Sequence, residues 1–462
     1  MKYISTRGDK ADSFKDVLFA GLAKDGGLFI PESWPQIELS KISSNISYVD
    51  LTHKIISLYI GNEISDNDLE KIIIQAYKKS FSKEDLVSFK ELNDNEVIVE
   101  LFNGPTLAFK DFAMQLLIPI FDYFLSRENR KINLIVATSG DTGSAAINAV
   151  KNSKYISIFC LYPKDRISEF QRRQMSTVTQ DNINLCEIDG TFDDCQKIVK
   201  SILRDEYFCN KFSISAVNSI NWARIVIQSV YYFFTFLRFH SNDEINKINY
   251  VVPTGNFGDI YAGYVAYKMG LPINKLLIAT NENDILDRFL HNGKYQIGEV
   301  FKTTSPSMDI QIASNFERLL FDLLDRSSER TKEKMLNLEN KGTITVNDEQ
   351  LKLAKTVFCS ERSTVEHVNA TISQVFNENK YLIDPHTAVG LYASRVYNDQ
   401  SHKNYILSTA HPAKFSDTVE KAIGKDLNLL KRYNSLFLSD EKFLKFGCNV
   451  DEIKNQIINM NS

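Results

Sequence analysis

From residue 96 onward the chain alternates between short apolar runs and longer segments with apolar residues at helical spacing. "EVIVELF" (96–102) alternates like a strand, and "INLIVAT" (132–138), "YISIFCLYP" (155–163) and "INLCEIDG" (183–190) read as buried strands. "GSAAINAVK", "SEFQRRQMSTV" and "FDDCQKIVKSILRD" read as the helices between and after them. The pattern returns in "INYVVPTGNFGDIYAGYVAYKMG" (248–270) and "KLLIATN" (275–281), and "NYILSTAHPAKFSDTVEKAIG" (404–424) adds one more strand, loop and helix. Such alternation predicts an α/β fold whose parallel sheet is covered by helices on both faces.

The flanking segments have a different texture. Residues 1–95 read as a separate N-terminal unit. "SFKDVLFAGLAKDGGLFIPE" predicts a short helix, a Gly-Gly turn and a strand, and "YVDLTHKIISLYI" and "NDLEKIIIQAYKKSF" follow with helical spacing. Residues 291–380 are more polar, with helical spacing and weak strand signals. They read as an insertion between 96–290 and 381–462, the two parts of the α/β core.

Composition narrows the function classes. The 462 residues are 43% hydrophobic and 24% charged, with a formal net charge of -4. This is ordinary for a soluble globular protein and gives no polyanion-binding surface, so no nucleic-acid partner is expected. Lysine-rich pieces such as "ERTKEKM" are interleaved with acids and read as solvated helix faces. The six cysteines are scattered without CxxC spacing or a neighbouring histidine cluster, which predicts free thiols and no metal site. "MKYISTRGDKADS" lacks the apolar core of a secretory signal, and "SVYYFFTFLRF" is about half the length needed to span a bilayer. A cytoplasmic protein without a membrane partner is the expectation.

Three loops at predicted strand ends carry unusual chemistry, and open α/β sheets bind ligands there. "TSGDTG" (138–143) offers hydroxyls, amides and a helix start to an anion, or is a plain turn capped by Asp141 or Thr142. "PTGNFGD" (253–259) has Gly255 and Gly258 for tight backbone folding, followed at once by a helix start. It suits a phosphate but lacks the lysine of a nucleotide P-loop. "STAHPAKF" (408–415) places a hydroxyl pair at a strand end. His411 there, and His386 in "DPHTAVG", read as structural turn residues. Lys110 in "NGPTLAFKDFAMQ" (103–115) stands where a loop gives way to a helix. The positive end of a helix disfavours a charged amine, so that position favours the neutral form. A neutral lysine beside a phosphate loop and a second anion loop suits an aldehyde cofactor with a phosphate, and pyridoxal phosphate fits.

The motifs "NGPTLAFKDFAMQ", "ATSGDTGSAA", "NSINWARIVIQ", "PTGNFGDIYAG" and "LSTAHPAKF", with the opening "DGGLFIPE", resemble in content and order those of threonine synthases of the bacterial and fungal type. The resemblance spans nearly the whole chain and is least distinct over 290–380. It implies the type II pyridoxal-phosphate fold and conversion of O-phospho-L-homoserine and water to L-threonine and phosphate. It implies that Lys110 carries the cofactor, that Gly255, Asn256, Phe257, Gly258 and Asp259 hold its phosphate, and that Thr409 meets its ring nitrogen. Asp141 stands where related enzymes of this fold often have an asparagine contacting the ring hydroxyl. Ser139 and Thr142 are implied at the substrate carboxylate. The substrate phosphate is expected at Arg224 with Asn218 and Ser219, and at Lys414; Arg166, Arg172 and Arg173 are alternatives expected on the surface. The assembly is expected to be a monomer or homodimer. A phospho-lyase or dehydratase using the same cofactor, and a non-catalytic ligand-binding relative, are the competing readings.

Overall fold

The apolar runs assemble into two large sheets in the computed structural model, which describes residues 1–81, 85–240 and 246–461. One has six strands, in the order Phe358–Arg362, Ile273–Thr280, Ile248–Pro253, Asn404–Ser408, Glu96–Glu100 and Ser88–Glu91. All its neighbours are parallel except the last pair, where Ser88–Glu91 closes the edge antiparallel. The other sheet has five strands, all parallel: Leu444–Phe446, Ile183–Ile188, Ile156–Pro163, Ile132–Ala137 and Ile214–Ala216. Its strands Ile183–Ile188 and Ile156–Pro163 are buried at every position but Ser157, which is why they read as continuous apolar runs instead of alternating ones.

The helix Trp222–Phe239 buries every residue from Trp222 to Leu237. A helix apolar all round belongs at the centre of a large protein. "SVYYFFTFLRF" is therefore a core segment, and no helix among the described residues is long and apolar enough to cross a membrane. Its Tyr231 and Phe234 share one apolar cluster with Leu116 and Phe121 of the helix Lys110–Glu128. The same cluster takes in Leu51, Ile55 and Tyr59 of the helix Tyr48–Ile60 and Ile73 of Asp66–Lys78. The N-terminal residues thus pack their apolar faces into the core that underlies the two sheets. A further three-stranded antiparallel sheet, Lys10–Ala11, Tyr3–Ser5 and Phe29–Pro31, lies in this segment.

The polar stretch 291–380 is mostly helical, with the helices Phe316–Leu323, Ser328–Lys341, Asp348–Val357 and Val365–Asn379. Phe358–Arg362, however, is an edge strand of the six-stranded sheet, in parallel register with Leu276 to Thr280. "FCSER" buries only Phe358 and Ser360, and a five-residue edge strand with a polar exposed end gives little periodic signal. All six cysteines carry free thiols.

Candidate active site

Both glycine-containing loops leave the carboxyl ends of parallel strands, Ile132–Ala137 and Ile248–Pro253, and Thr409 directly follows Asn404–Ser408. Lys110 is the first residue of its helix. The loop before it is held by Asp111, whose carboxylate accepts from Thr106 N at 2.8 Å and Thr106 Oγ1 at 2.6 Å. Burial pushes the Asp111 carboxyl up to about 6 against those bonds. Phe109 N donates to Thr409 O at 2.9 Å, which ties the lysine loop to the third strand end. One cavity is lined by Lys110, Asp141, Thr142, Ser219, Arg224, Gly255, Asn256, Phe257, Gly258, Asp259 and Thr409. Ser139, Asn218 and Lys414 are not among its lining residues.

Asp141 is an ionic hub. Its Oδ2 lies 3.3 Å from Lys110 Nζ, and its Oδ1 lies 2.9 Å from Lys414 Nζ and accepts from Gln171 Nε2 at 2.8 Å. Burial alone would raise this carboxyl, but Lys414 and then Lys110 outweigh it and hold it well below the usual range. Asp141 therefore does not cap its helix; Gly140 is the N-cap residue and makes no side-chain cap bond. Thr138 Oγ1 accepts from the amides of Gly140 and Gly143, so two of this loop's donors are already spent. Lys414 has a fully buried side chain, and besides Asp141 its amine donates to Thr106 O at 2.7 Å. Its charge helps hold Asp141 ionised, and it does not line the cavity. For Lys110, burial lowers the amine below its ordinary value. Asp141 opposes the shift, while Lys414 and Arg224 reinforce it. The helix end alone favours a neutral amine, and in the folded protein burial dominates.

The glycine loop works through backbone. Phe257 adopts a left-handed conformation at φ 61°, which turns the chain into the helix Gly258–Lys268. Among the described residues, the amides of Gly255, Asn256, Phe257 and Gly258 have no protein acceptor. Asn315 braces the loop from outside, donating from N and Nδ2 to Asn256 O at 3.1 and 3.0 Å. A Cβ on Gly255 would lie 2.7 Å from Ser307 O, so glycine is required there by the neighbouring backbone. The Asp259 carboxylate accepts from Tyr231 Oη at 2.5 Å and Tyr232 Oη at 3.0 Å. Burial pushes it up to about 6. Both hydroxyls meet Oδ1, and Oδ2 has no partner among the described residues; a carboxylate repels an anion, so Asp259 can serve one through its amide alone.

Arg224 lies in the first turn of the central helix and is 3% exposed. Among the described residues, its Nε and Nη1 have no hydrogen-bond partner. Burial lowers its guanidinium to about 10. A buried cation without a carboxylate partner is costly unless an anion arrives to complete it.

Sequence reasoning missed Ser307, and it read His386 as structural; both line the cavity. Ser307 Oγ lies 3.4 Å from Asp141 Oδ2, and Ser307 N donates to His386 Nε2 at 3.3 Å. No local motif marks Ser307, because it comes from the polar stretch. His386 carried a usable signal: it follows Asp384 and Pro385, a helix-opening pair. His411 caps a 3₁₀ turn, accepting from Ala413 N.

Three family models cover the chain: "Threonine synthase N terminus" over 2–77, "Pyridoxal-phosphate dependent enzyme" over 86–407, and "Threonine synthase, C-terminal" over 387–457. A threonine synthase of Pseudomonas aeruginosa is 43% identical over 96% of this chain and 95% of its own length. That of Saccharomyces cerevisiae is 42% identical over 98% and 97%. The crystal structure of the pyridoxal-phosphate-bound threonine synthase of Brucella melitensis superposes with a TM-score of 0.95 at 42% identity, covering 100% of this chain and 99% of that one. With these matches over nearly the whole chain, and a buried lysine beside a glycine loop of unpaired amides at one cavity, the chain belongs to the threonine synthase family of pyridoxal-phosphate-dependent lyases.

Proposed function

We propose that the chain converts O-phospho-L-homoserine and water to L-threonine and phosphate in the Lys110 cavity, the last step of threonine biosynthesis. Arg224 carries this reading: a buried, uncompensated guanidinium in the same cavity as a depressed lysine calls for an anionic substrate.

The residues present suit the cofactor. Four amides without acceptors at a helix start match a phosphate, and a buried amine lowered toward neutrality matches an aldehyde. Pyridoxal phosphate, when bound, supplies an electron sink for negative charge next to the substrate nitrogen. Lys110 would hold the cofactor aldehyde, and its amine, when free, would move the protons at the substrate α- and β-carbons. Its lowered basicity suits a group that must both take and return them near neutral pH. Thr409 is assigned to the ring nitrogen, where a hydroxyl does not enforce ring protonation. Asp141 is assigned to the ring hydroxyl and keeps its charge through Lys414. Thr142, which lines the cavity, is assigned the substrate carboxylate, with Ser139 of the same loop outside the lining. Arg224, with Ser219, is assigned the substrate phosphate, where its charge stabilises the leaving group, and Asn218 stands outside the lining beside them.

Incubation with O-phospho-L-homoserine tests the reading. Phosphate and threonine in equal amounts are expected. 2-Oxobutyrate and ammonia in place of threonine would reassign the site to a dehydratase, and cofactor binding without any product would leave a ligand-binding relative.

A further inference from the structure

The helix Pro385–Tyr397 begins with a buried pair that the chemistry above does not use. Asp384 caps the helix: Oδ1 accepts from Thr387 N and Oδ2 from His386 N, each at 3.0 Å. The same Oδ2 lies 2.7 Å from His386 Nδ1. Asp384 has no exposed surface and His386 is 3% exposed. Because Ser307 N–H donates to His386 Nε2, that nitrogen is the bare one, and Nδ1 carries the proton toward Asp384. Both ring nitrogens are thus committed, so His386 is not built to exchange protons with a ligand. What it holds is Ser307.

Ser307 touches both halves of the site. Its carbonyl oxygen backs Gly255 at the cradle, and its hydroxyl lies 3.4 Å from Asp141 Oδ2, the oxygen that faces Lys110 Nζ. The loop carrying it is anchored elsewhere by Asp309, which accepts from Thr303 N at 2.9 Å and from Asn281 Nδ2 at 2.8 Å. Those anchors fix the loop's flanks. Among the described residues, the amide of Ser307 itself has His386 Nε2 as its acceptor.

We propose that Asp384 and His386 are positioning residues: they set Ser307 so that its backbone backs the phosphate cradle and its hydroxyl orients Asp141 toward Lys110. The inference rests on the assignment of Lys110 as the cofactor lysine. It predicts a hierarchy among variants of one side chain. His386→Gln keeps an acceptor near the Nε2 position, whereas His386→Asn keeps only a group near Nδ1.

The test uses the full-length holoenzyme and its cofactor-free form. His386→Asn is expected to lower kcat about tenfold, with KM for O-phospho-L-homoserine within about twofold, since Arg224 is untouched. Cofactor affinity, titrated by absorbance, is expected to fall about threefold to tenfold, the value of one hydrogen bond. His386→Gln should restore most of both. Ser307→Ala should lower kcat by a similar factor, and in kcat the double variant His386→Asn with Ser307→Ala should fall little further, because the kcat effect of both runs through the Ser307 hydroxyl at Asp141. Additive losses, or His386→Gln as impaired as His386→Asn, would overturn the proposal. Thermal unfolding of each variant separates collapse of the fold from loss of position: equal activity loss in Gln and Asn variants that remain folded counts against it. Lys110→Ala tells the two readings apart. If that variant is inert while His386→Asn matches the parent, only the positioning proposal fails; if Lys110→Ala stays active, the assignment beneath it fails.

Discussion

The two loops that meet at the cavity bind charge in opposite ways. The 253–259 loop, at the end of a strand of the six-stranded sheet, presents backbone amides and keeps its one carboxylate, Asp259, turned to two tyrosine hydroxyls. The 138–143 loop, at the end of a strand of the five-stranded sheet, spends two of its amides on Thr138 and presents a side chain, Asp141, clamped between two lysines. A backbone cradle tolerates loss of charge and fails under added bulk. An ionic hub tolerates bulk nearby and fails when one charge is removed, because its partners are then left buried and unpaired. The same fold position, a strand end opening into a helix, therefore supports two different kinds of anion chemistry.

This contrast can be broken experimentally, and the largest expected effect lies at the point where the two loops meet. Lys110→Ala should cut threonine formation by roughly a hundredfold to ten-thousandfold, the range for loss of a positioned acid–base group. Phosphate release and threonine assays on the folded variant check this.

Asp141→Asn tests the ionic side. It leaves Lys414 buried against a neutral amide, and removal of one partner of a buried pair destabilises by about 3–5 kcal/mol. The pH dependence has a definite sign. The Asp141 carboxyl is held well below its ordinary value, so its stabilisation is full above about pH 4 and is lost as pH falls toward the folded-state value. Denaturant titrations of the cofactor-free protein should show the variant's deficit at pH 7 shrinking as the solution is acidified below pH 4.

Arg224→Ala removes the uncompensated cation. One charge-assisted hydrogen bond is worth about 1.5–3 kcal/mol, so kcat/KM should fall on the order of tenfold to a hundredfold with the cofactor spectrum unchanged. Steady-state kinetics with O-phospho-L-homoserine measures it; unchanged efficiency would place the substrate phosphate on another cation.

The cradle supplies the smallest effect and a ranking. At Gly255 an added Cβ meets backbone, Ser307 O at 2.7 Å, whereas at Gly258 its nearest neighbour is a side-chain atom, Asn315 Nδ2 at 3.3 Å. Gly255→Val should weaken cofactor affinity by the equivalent of about 1–3 kcal/mol of overpacking, and Gly258→Val by less. Cofactor titration of the two variants decides the order, and equal affinities would show that the backbone contact at Gly255 does not set the cradle.

By itself the sequence determined the long buried strands, the three loops at strand ends and the start of the helix at Lys110, because periodicity and glycine placement are local properties that a short window reveals; short edge strands such as Phe358–Arg362 left no such signal. "INLIVAT" and "YISIFCLYP" are strands where they were expected, and the helix at Lys110 begins on that residue. Tertiary structure decided what each charge touches. Lys414 and Arg224 look alike in sequence as cations near the site, yet one is paired with Asp141 and Thr106 while the other, among the described residues, keeps Nε and Nη1 without hydrogen-bond partners. Ser307 and His386 stand 79 positions apart, and only folding brings them to 3.3 Å. The reason is physical: whether a buried charge is matched depends on groups contributed by distant segments, and desolvation, the largest influence on Lys110, exists only once those segments have closed over it.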